Sequence, residues 1–307
     1  MFRPSDYATI PLDHWVDLFV KDWLVPNFRP AFRALQWPVD QVLTGLDAFL
    51  QSIPFPIFVI VAVALAWWAA GRGVAVFSLI ALVFIDMIEV WSETMTTLAM
   101  IVTAVLFCAV VGVPIGIAAS RSDRVAAAIR PVLDIMQTIP PFVYLVPIVM
   151  LFGVGIVPGV IATIIFALPP IIRFTNLGIR QVQEEKVEAG YAFGATPRQV
   201  LWEIQIPLAL RTIMAGLNQT LMLSLSMVVI AALIGAGGLG LTVYTGLGRL
   251  DVGSATVGGI GIVLLAVILD RVTQALGQTR RQRSSPKQIL QWFFKGTRRS
   301  HTEPRST

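Results

Sequence analysis

Residues 184–212 read EEKVEAGYAFGATPRQVLWEIQIPLALRT, a polar and amphipathic interlude between two long apolar runs. The stretch opens with a charged, helix-favouring segment and breaks at Gly194, Ala195, Thr196 and Pro197. It then resumes with Val200, Leu201, Ile204 and Ile206 at helical spacing as far as Pro207. Thr196 can cap the second arm, and Pro197 suits its first position, where no N–H is needed. These residues predict a helix–turn–helix that lies at a membrane face, open to a partner.

Outward from it the chain is apolar. Of 307 residues, 56% are hydrophobic and 13% charged, and mean hydropathy is +0.76. A soluble domain carries about 25% charged residues, so the composition points to a bilayer. The net charge of +5 does not signal nucleic acid, because the basic residues are dispersed along the flanks of apolar runs. A crossing helix needs about 20 mostly apolar residues. Such runs fall at 53–71, 73–90, 94–119, 133–152, 157–175, 211–235 and 254–275, which predicts an all-α polytopic protein of about seven transmembrane helices.

Cytoplasmic loops collect Lys and Arg. Placing 176–210 in the cytoplasm puts Arg72, Arg121, Arg124, Arg130, the group from Arg173 to Arg211 and the run from Arg271 to Arg305 on the same side. The N-terminus is then outside and the C-terminus inside. Basic residues near the start (Arg3, Lys21, Arg29 and Arg33) run against this rule. Acidic Asp6, Asp13 and Asp17 argue against a secretory signal.

Residues 1–52 carry two amphipathic stripes. Leu12, Trp15, Val16, Phe19 and Trp23 form one; Val39, Val42, Leu43, Leu46, Phe49, Leu50 and Ile53 form another after Pro38. Two helices along the outer membrane surface, or packed on the spans, satisfy this pattern equally. Residues 53–276 form the membrane domain, with the loop at 184–207. Residues 277–307 form a basic tail whose apolar patch around Trp292 suits anionic lipid or plain disorder.

Catalytic and metal chemistry find no foothold. His14 and His301 sit at opposite ends, and Cys108 is a lone small residue in an apolar run. No phosphate-loop motif occurs, so the chain is not expected to hold ATP itself. Ion-coupled carriers place ionisable groups mid-membrane. Here Asp86, Glu89, Asp134 and Asp270 lie near span ends, which favours an ATP-driven partner over an ion-gradient carrier or a channel.

Pro140, Pro141 and Pro147 preclude a regular fourth span, and irregular backbone at depth belongs beside water or inside protein. That places Phe142 and Tyr144 on a translocation path, where aromatic faces attract cations, or in plain packing. Asn218, Gln219, Ser224 and Ser226, with Met222 and Met227, line that path or bond across helices. The glycines at 235–240 and 258–261 permit close approach or a turn.

The 184–212 stretch resembles the coupling loop of bacterial ABC importer permeases, in which Glu-Ala-Ala is followed by three residues, Gly, nine residues and Ile-x-Leu-Pro. Glu188, Ala189, Gly194, Ile204 and Pro207 match; Gly190 replaces the second Ala and Ile206 replaces Leu. MQTIPPFVYLVPIVMLFGVG, VPGVIATIIFALPPIIR and NQTLMLSLSMVVIAALIGAGGLG resemble the permease of the glycine betaine/L-proline uptake family. The resemblance implies a type I importer fold and a homodimer of this chain. It also implies two cytoplasmic ATPase subunits that bind ATP and Mg, a solute-binding protein, and uptake of a betaine, or of a relative such as choline, carnitine or taurine.

Overall fold

A computed structural model describes residues 14–15 and 18–277. The expected basic tail, and Leu12 and Val16 of the first stripe, lie outside the described residues. Every element is helical. The regular helices are α1 (Val25–Ser52), α2 (Phe55–Ala70), α3 (Arg72–Met87), α4 (Trp91–Arg121), α5 (Asp123–Thr138), α6 (Pro141–Phe152), α7 (Ile156–Arg180) and α8 (Glu184–Ala192). They continue with α9 (Ile206–Ala231), α10 (Leu239–Gly248) and α11 (Val252–Gly277).

Six of the seven apolar runs each map onto one helix and the fourth onto two, so they are not seven equal spans. Among the described residues four helices are long and apolar enough to cross a membrane alone, and six if each of two bent pairs is one span. The helices α2 and α3 have only 16 residues each, cut short by Gly71, which has φ +90°, and by the turn at Glu89. The expected irregular span is two helices, α5 and α6, bent by 101°. The break falls at Ile139 and Pro140, both extended; Pro147 lies within α6.

The break expected at Pro38 is absent. The helix α1 passes through Pro30 and Pro38, and Val39, Leu43 and Leu50 bury themselves in a cluster with Met95, Leu98 and Ile101 of α4. A mid-helix proline costs about 3 kcal/mol. Burying such side chains returns roughly 1.5–3 kcal/mol each, so packing overrides the proline. This helix meets α2 at a bend of 107°; it crosses the direction of the spans while lying against them. Ahead of it, Trp15, Phe19 and Trp23 stay exposed, with Phe19 and Trp23 stacked at 5.2 Å.

At the centre is α7, packed between α4 and α9; Val160, Ala162, Ala167 and Ile171 are fully enclosed. Polar contacts fix both ends of the bundle. At one end the Arg180 guanidinium donates to the Ala119 carbonyl at 2.8 Å and to Asp123 at 2.7 Å. At the other, the Gly155 amide donates to the Ile234 carbonyl at 2.8 Å and the Leu239 amide to Thr97 Oγ1 at 2.8 Å.

Candidate functional site

The 184–212 stretch forms an elbow at the Arg180 end of the bundle. Its first arm is α8. The turn follows, with the Gly194 amide donating to the Tyr191 carbonyl at 2.9 Å and the Ala195 amide to the Gly190 carbonyl at 3.0 Å. Gly194 has φ +83°, a conformation that costs glycine nothing. A Cβ there would meet nothing within 4 Å, so backbone shape rather than crowding calls for glycine. Thr196 caps the second arm as expected: the Gln199 amide donates to its Oγ1, and the Gln199 side chain accepts from the Thr196 amide at 2.8 Å. This reciprocal pair is a capping box.

Gly190 is where the two arms cross. A Cβ on it would come within 2.5 Å of Ile204 Cδ1 and 3.4 Å of Val200 Cγ2. Ile204 is half-buried in this contact, and Val200 and Leu201 are buried. The second arm runs on through Pro207 into α9, making one helix from Pro197 to Ile234. Proline would press on the carbonyl four residues back; the turn ahead of it, Val200–Gln205, is widened to a π-helix, which accommodates the ring. Ile206 packs against the buried cluster of Leu201, Ala209 and Ile179.

What the elbow shows to its surroundings is aromatic and acidic. Phe193 at the turn is 93% exposed and Trp202 63%; Tyr191, Glu188 and Ala189 are exposed beside them. Glu188 also lines a cleft of about 340 Å³ with Glu184, Tyr191, Arg180 and Gln205. Phe193 and Trp202 were not singled out in the sequence. Two large aromatics in an otherwise polar loop were the available signal.

The residues expected on the translocation path divide, and Met227 is fully buried. Tyr144 is buried; its hydroxyl donates to the Met136 carbonyl across the α5–α6 break, and its ring stands edge-on to Phe166 at 6.2 Å. Asn218 is engaged between helices. Its Nδ2 donates to Asp270 Oδ1 at 3.1 Å, and its Oδ1 accepts from the Thr273 hydroxyl at 2.5 Å; Gln274 Nε2 also donates to Asp270, at 2.6 Å. Ser224 is buried on its own helix carbonyl at Thr220. Phe142, by contrast, is exposed on α6, and Gln219, Met222 and Ser226 form one exposed face of α9. Asp134, expected near a span end, pairs with Arg173 at 2.5 Å. Among the described residues no cluster of His, Cys, Asp or Glu could hold a metal ion.

Known proteins match this arrangement. The family described as binding-protein-dependent transport system inner membrane component matches residues 112–282, from mid-α4 through the elbow and all of α11. The glycine betaine/proline betaine transport system permease protein ProW of Escherichia coli K12 is 55% identical over 95% of this chain and 81% of its own length. The glycine betaine transport system permease protein OpuAB of Bacillus subtilis 168 is 45% identical over 90% of this chain and 98% of its own. An inward-facing structure of the MetNI methionine ABC transporter superposes with a TM-score of 0.55 at 24% identity, over 67% of this chain and 97% of that one, which shows a shared fold. The chain belongs to the family of binding-protein-dependent transport system inner membrane components, alongside these permease proteins.

Proposed function

We propose that this chain carries glycine betaine and similar methylated zwitterions across the cytoplasmic membrane as the permease of an ATP-driven importer. Two copies pair, each elbow docks on one of two ATPase subunits, and a solute-binding protein delivers cargo at the opposite face. ATP and Mg are held by the ATPases; this chain binds no cofactor. The elbow lies in the cytoplasm, with the N-terminus outside and the C-terminus inside, in keeping with the basic residues at 121–130 and 173–211.

The observation that carries the reading is the elbow itself. A rigid, capped helix–turn–helix presents Phe193, Trp202 and Glu188 together, and exposed aromatics at a compact tip are what a protein cleft grips. Closure of the ATPases moves the elbow, and the movement passes into α9 because the two are one helix. The substrate class rests on the relatives' names. Phe142, rather than the engaged Tyr144, offers a free aromatic face to a cation without N–H groups; Gln219 and Met222 accompany it.

The test is uptake of labelled glycine betaine into vesicles holding the permease, its ATPase and loaded binding protein. Uptake is expected to need ATP and to survive collapse of ion gradients. Uptake driven by a gradient through this chain alone would refute the proposal.

A further inference from the structure

At the Arg180 end of the bundle, α5 and α7 enclose a cavity of about 370 Å³ between them. From α7 come Arg173, Asn176 and Arg180, three and four residues apart and so on one face of the helix. From α5 come Arg130 and, one turn on, Asp134. Two ion pairs already cross the gap. Arg173 Nη2 donates to Asp134 Oδ1 at 2.5 Å, and Arg180 Nη1 to Asp123 Oδ1 at 2.7 Å. Arg180 is fully occupied, since its Nε also donates to Asn176 and its Nη2 to the Ala119 carbonyl, each at 2.8 Å. Arg130 differs. It is exposed and, among the described residues, it has no hydrogen bond or ion pair. Three guanidinium groups thus meet two carboxylates, and one positive charge is left over.

The position of the cavity decides what can neutralise that charge. Both α4 and α7 are long and apolar enough to cross a membrane. Arg180 ties the last turns of the two together through Ala119, so these ends share one membrane surface. Arg173 stands seven residues before Arg180, roughly 10 Å deeper along the axis. The headgroup layer is about 5–8 Å thick on each side of a bilayer, so the arginine ladder runs through it to the acyl boundary. At that boundary the walls turn aliphatic, with Ile129 and Leu133 from α5 and Ile172 and Leu177 from α7. Leu133 and Ile172 are buried together, while Leu177 is exposed at the rim. A free anion would use the guanidinium groups and leave the aliphatic walls bare. A phospholipid uses both.

We infer that this cavity holds the phosphodiester of a membrane phospholipid, clasped between Arg130 of α5 and Arg173 of α7, with an acyl chain along Leu133 and Leu177. A phosphodiester carries one negative charge, which balances the one guanidinium left over, and its oxygens accept the forked N–H donors of arginine. Basic pockets between transmembrane helices take lipid head groups for the same reason. Asp134 competes with the phosphate for Arg173 and so limits its affinity.

The test extracts the permease complex in mild detergent and follows, by native mass spectrometry, the phospholipid retained through successive washes. The parent is expected to keep one lipid per copy of this chain. Arg130→Gln breaks no contact within the protein and should lower retention by roughly tenfold, as for loss of a charged hydrogen-bond donor. Asp134→Asn frees Arg173 and should raise retention severalfold. Arg124→Gln removes the same charge from α5 outside the cavity and should change nothing. A parent that keeps no lipid, or an equal loss in Arg124→Gln and Arg130→Gln, would overturn the site. Inorganic phosphate in the wash should leave the lipid in place; displacement by it would mean a free-anion site instead. Leu177→Cys with a photo-crosslinking maleimide gives the location, since Cys108 is buried and the probe reports this rim alone. A crosslink to phospholipid supports the inference; a crosslink to a second copy of this chain overturns it.

Discussion

The molecule makes a left-handed turn between two helices at the elbow and another at the far hairpin, where α10 meets α11, and fills the two differently. At the elbow Gly194 takes φ +83°; at the far hairpin Leu250 takes φ +56°. Glycine adopts that shape freely, while an L-residue with a Cβ gives up roughly 1–2 kcal/mol. Neither turn is crowded: Gly194 has nothing near its Cβ position and Leu250 is almost wholly exposed. The difference teaches where each turn carries its apolar surface. The elbow's apex needs only a backbone shape, and under the proposed function Phe193 and Trp202 near it are the contact residues. At the hairpin the apex residue itself is the exposed apolar side chain.

The most disruptive way to break this comparison is Gly194→Trp. It strains the turn and thrusts bulk beside Phe193, so uptake is expected to vanish and ATPase copurification to fall, while insertion stays near normal. A fully active Gly194→Trp complex that still holds its ATPase would remove the elbow from the coupling role. Next comes Gly190→Leu, which drives a side chain into Ile204. Uptake should drop by roughly tenfold, the loss that about 1.4 kcal/mol of misplaced coupling would give. Ile204→Ala in the same chain should recover part of it, because the clash and not the residue identity is at fault. Absence of any rescue would mean that Gly190 serves the partner surface instead.

Smaller effects sharpen the contrast. Asn218→Leu removes the clasp between α9 and α11; helix–helix hydrogen bonds of this kind are worth about 1 kcal/mol, so the melting temperature should fall by a few degrees with substrate concentration dependence unchanged. A shift in that dependence instead would return Asn218 to the path. Gly194→Asn should stay within about threefold of parent uptake, since asparagine accepts the turn. Tyr144→Phe should be the mildest, lowering stability by about 1 kcal/mol through one lost hydrogen bond and leaving uptake almost unaltered.

The elbow was legible because everything it needs is local: a capping threonine, a proline at the first helical position, a glycine at the turn and apolar residues at helical spacing. The seven apolar runs were legible for the same reason. What failed depended on partners distant in sequence. Pro38 read as a break, but the helix survives on Val39 and Leu43, whose neighbours Met95 and Leu98 lie more than fifty residues away. For Asn218 the sequence leaves the path and a bond across helices both open, and only its contacts with Asp270 and Thr273, more than fifty residues on, favour the second. Tyr144 likewise has two readings, path or packing, and the bend between α5 and α6 that brings the Met136 carbonyl to its hydroxyl favours packing. Leu250 could not be found at all, since an exposed leucine is ordinary in sequence and unusual only in its φ.

The unbroken helix from Pro197 to Ile234 has 38 residues, a rod of roughly 57 Å. With its near end in the elbow, it acts as a lever. A tilt of about 5° there carries the far end through roughly 5 Å, because α-helices of this length bend only gently. That far end is tied by the Ile234 carbonyl to the Gly155 amide, and beyond it the chain turns through Gly235 and Gly238, both left-handed. Under the proposed function the swinging end therefore lies at the start of the α10–α11 hairpin, and a motion begun at the elbow is delivered to the opposite end of the bundle.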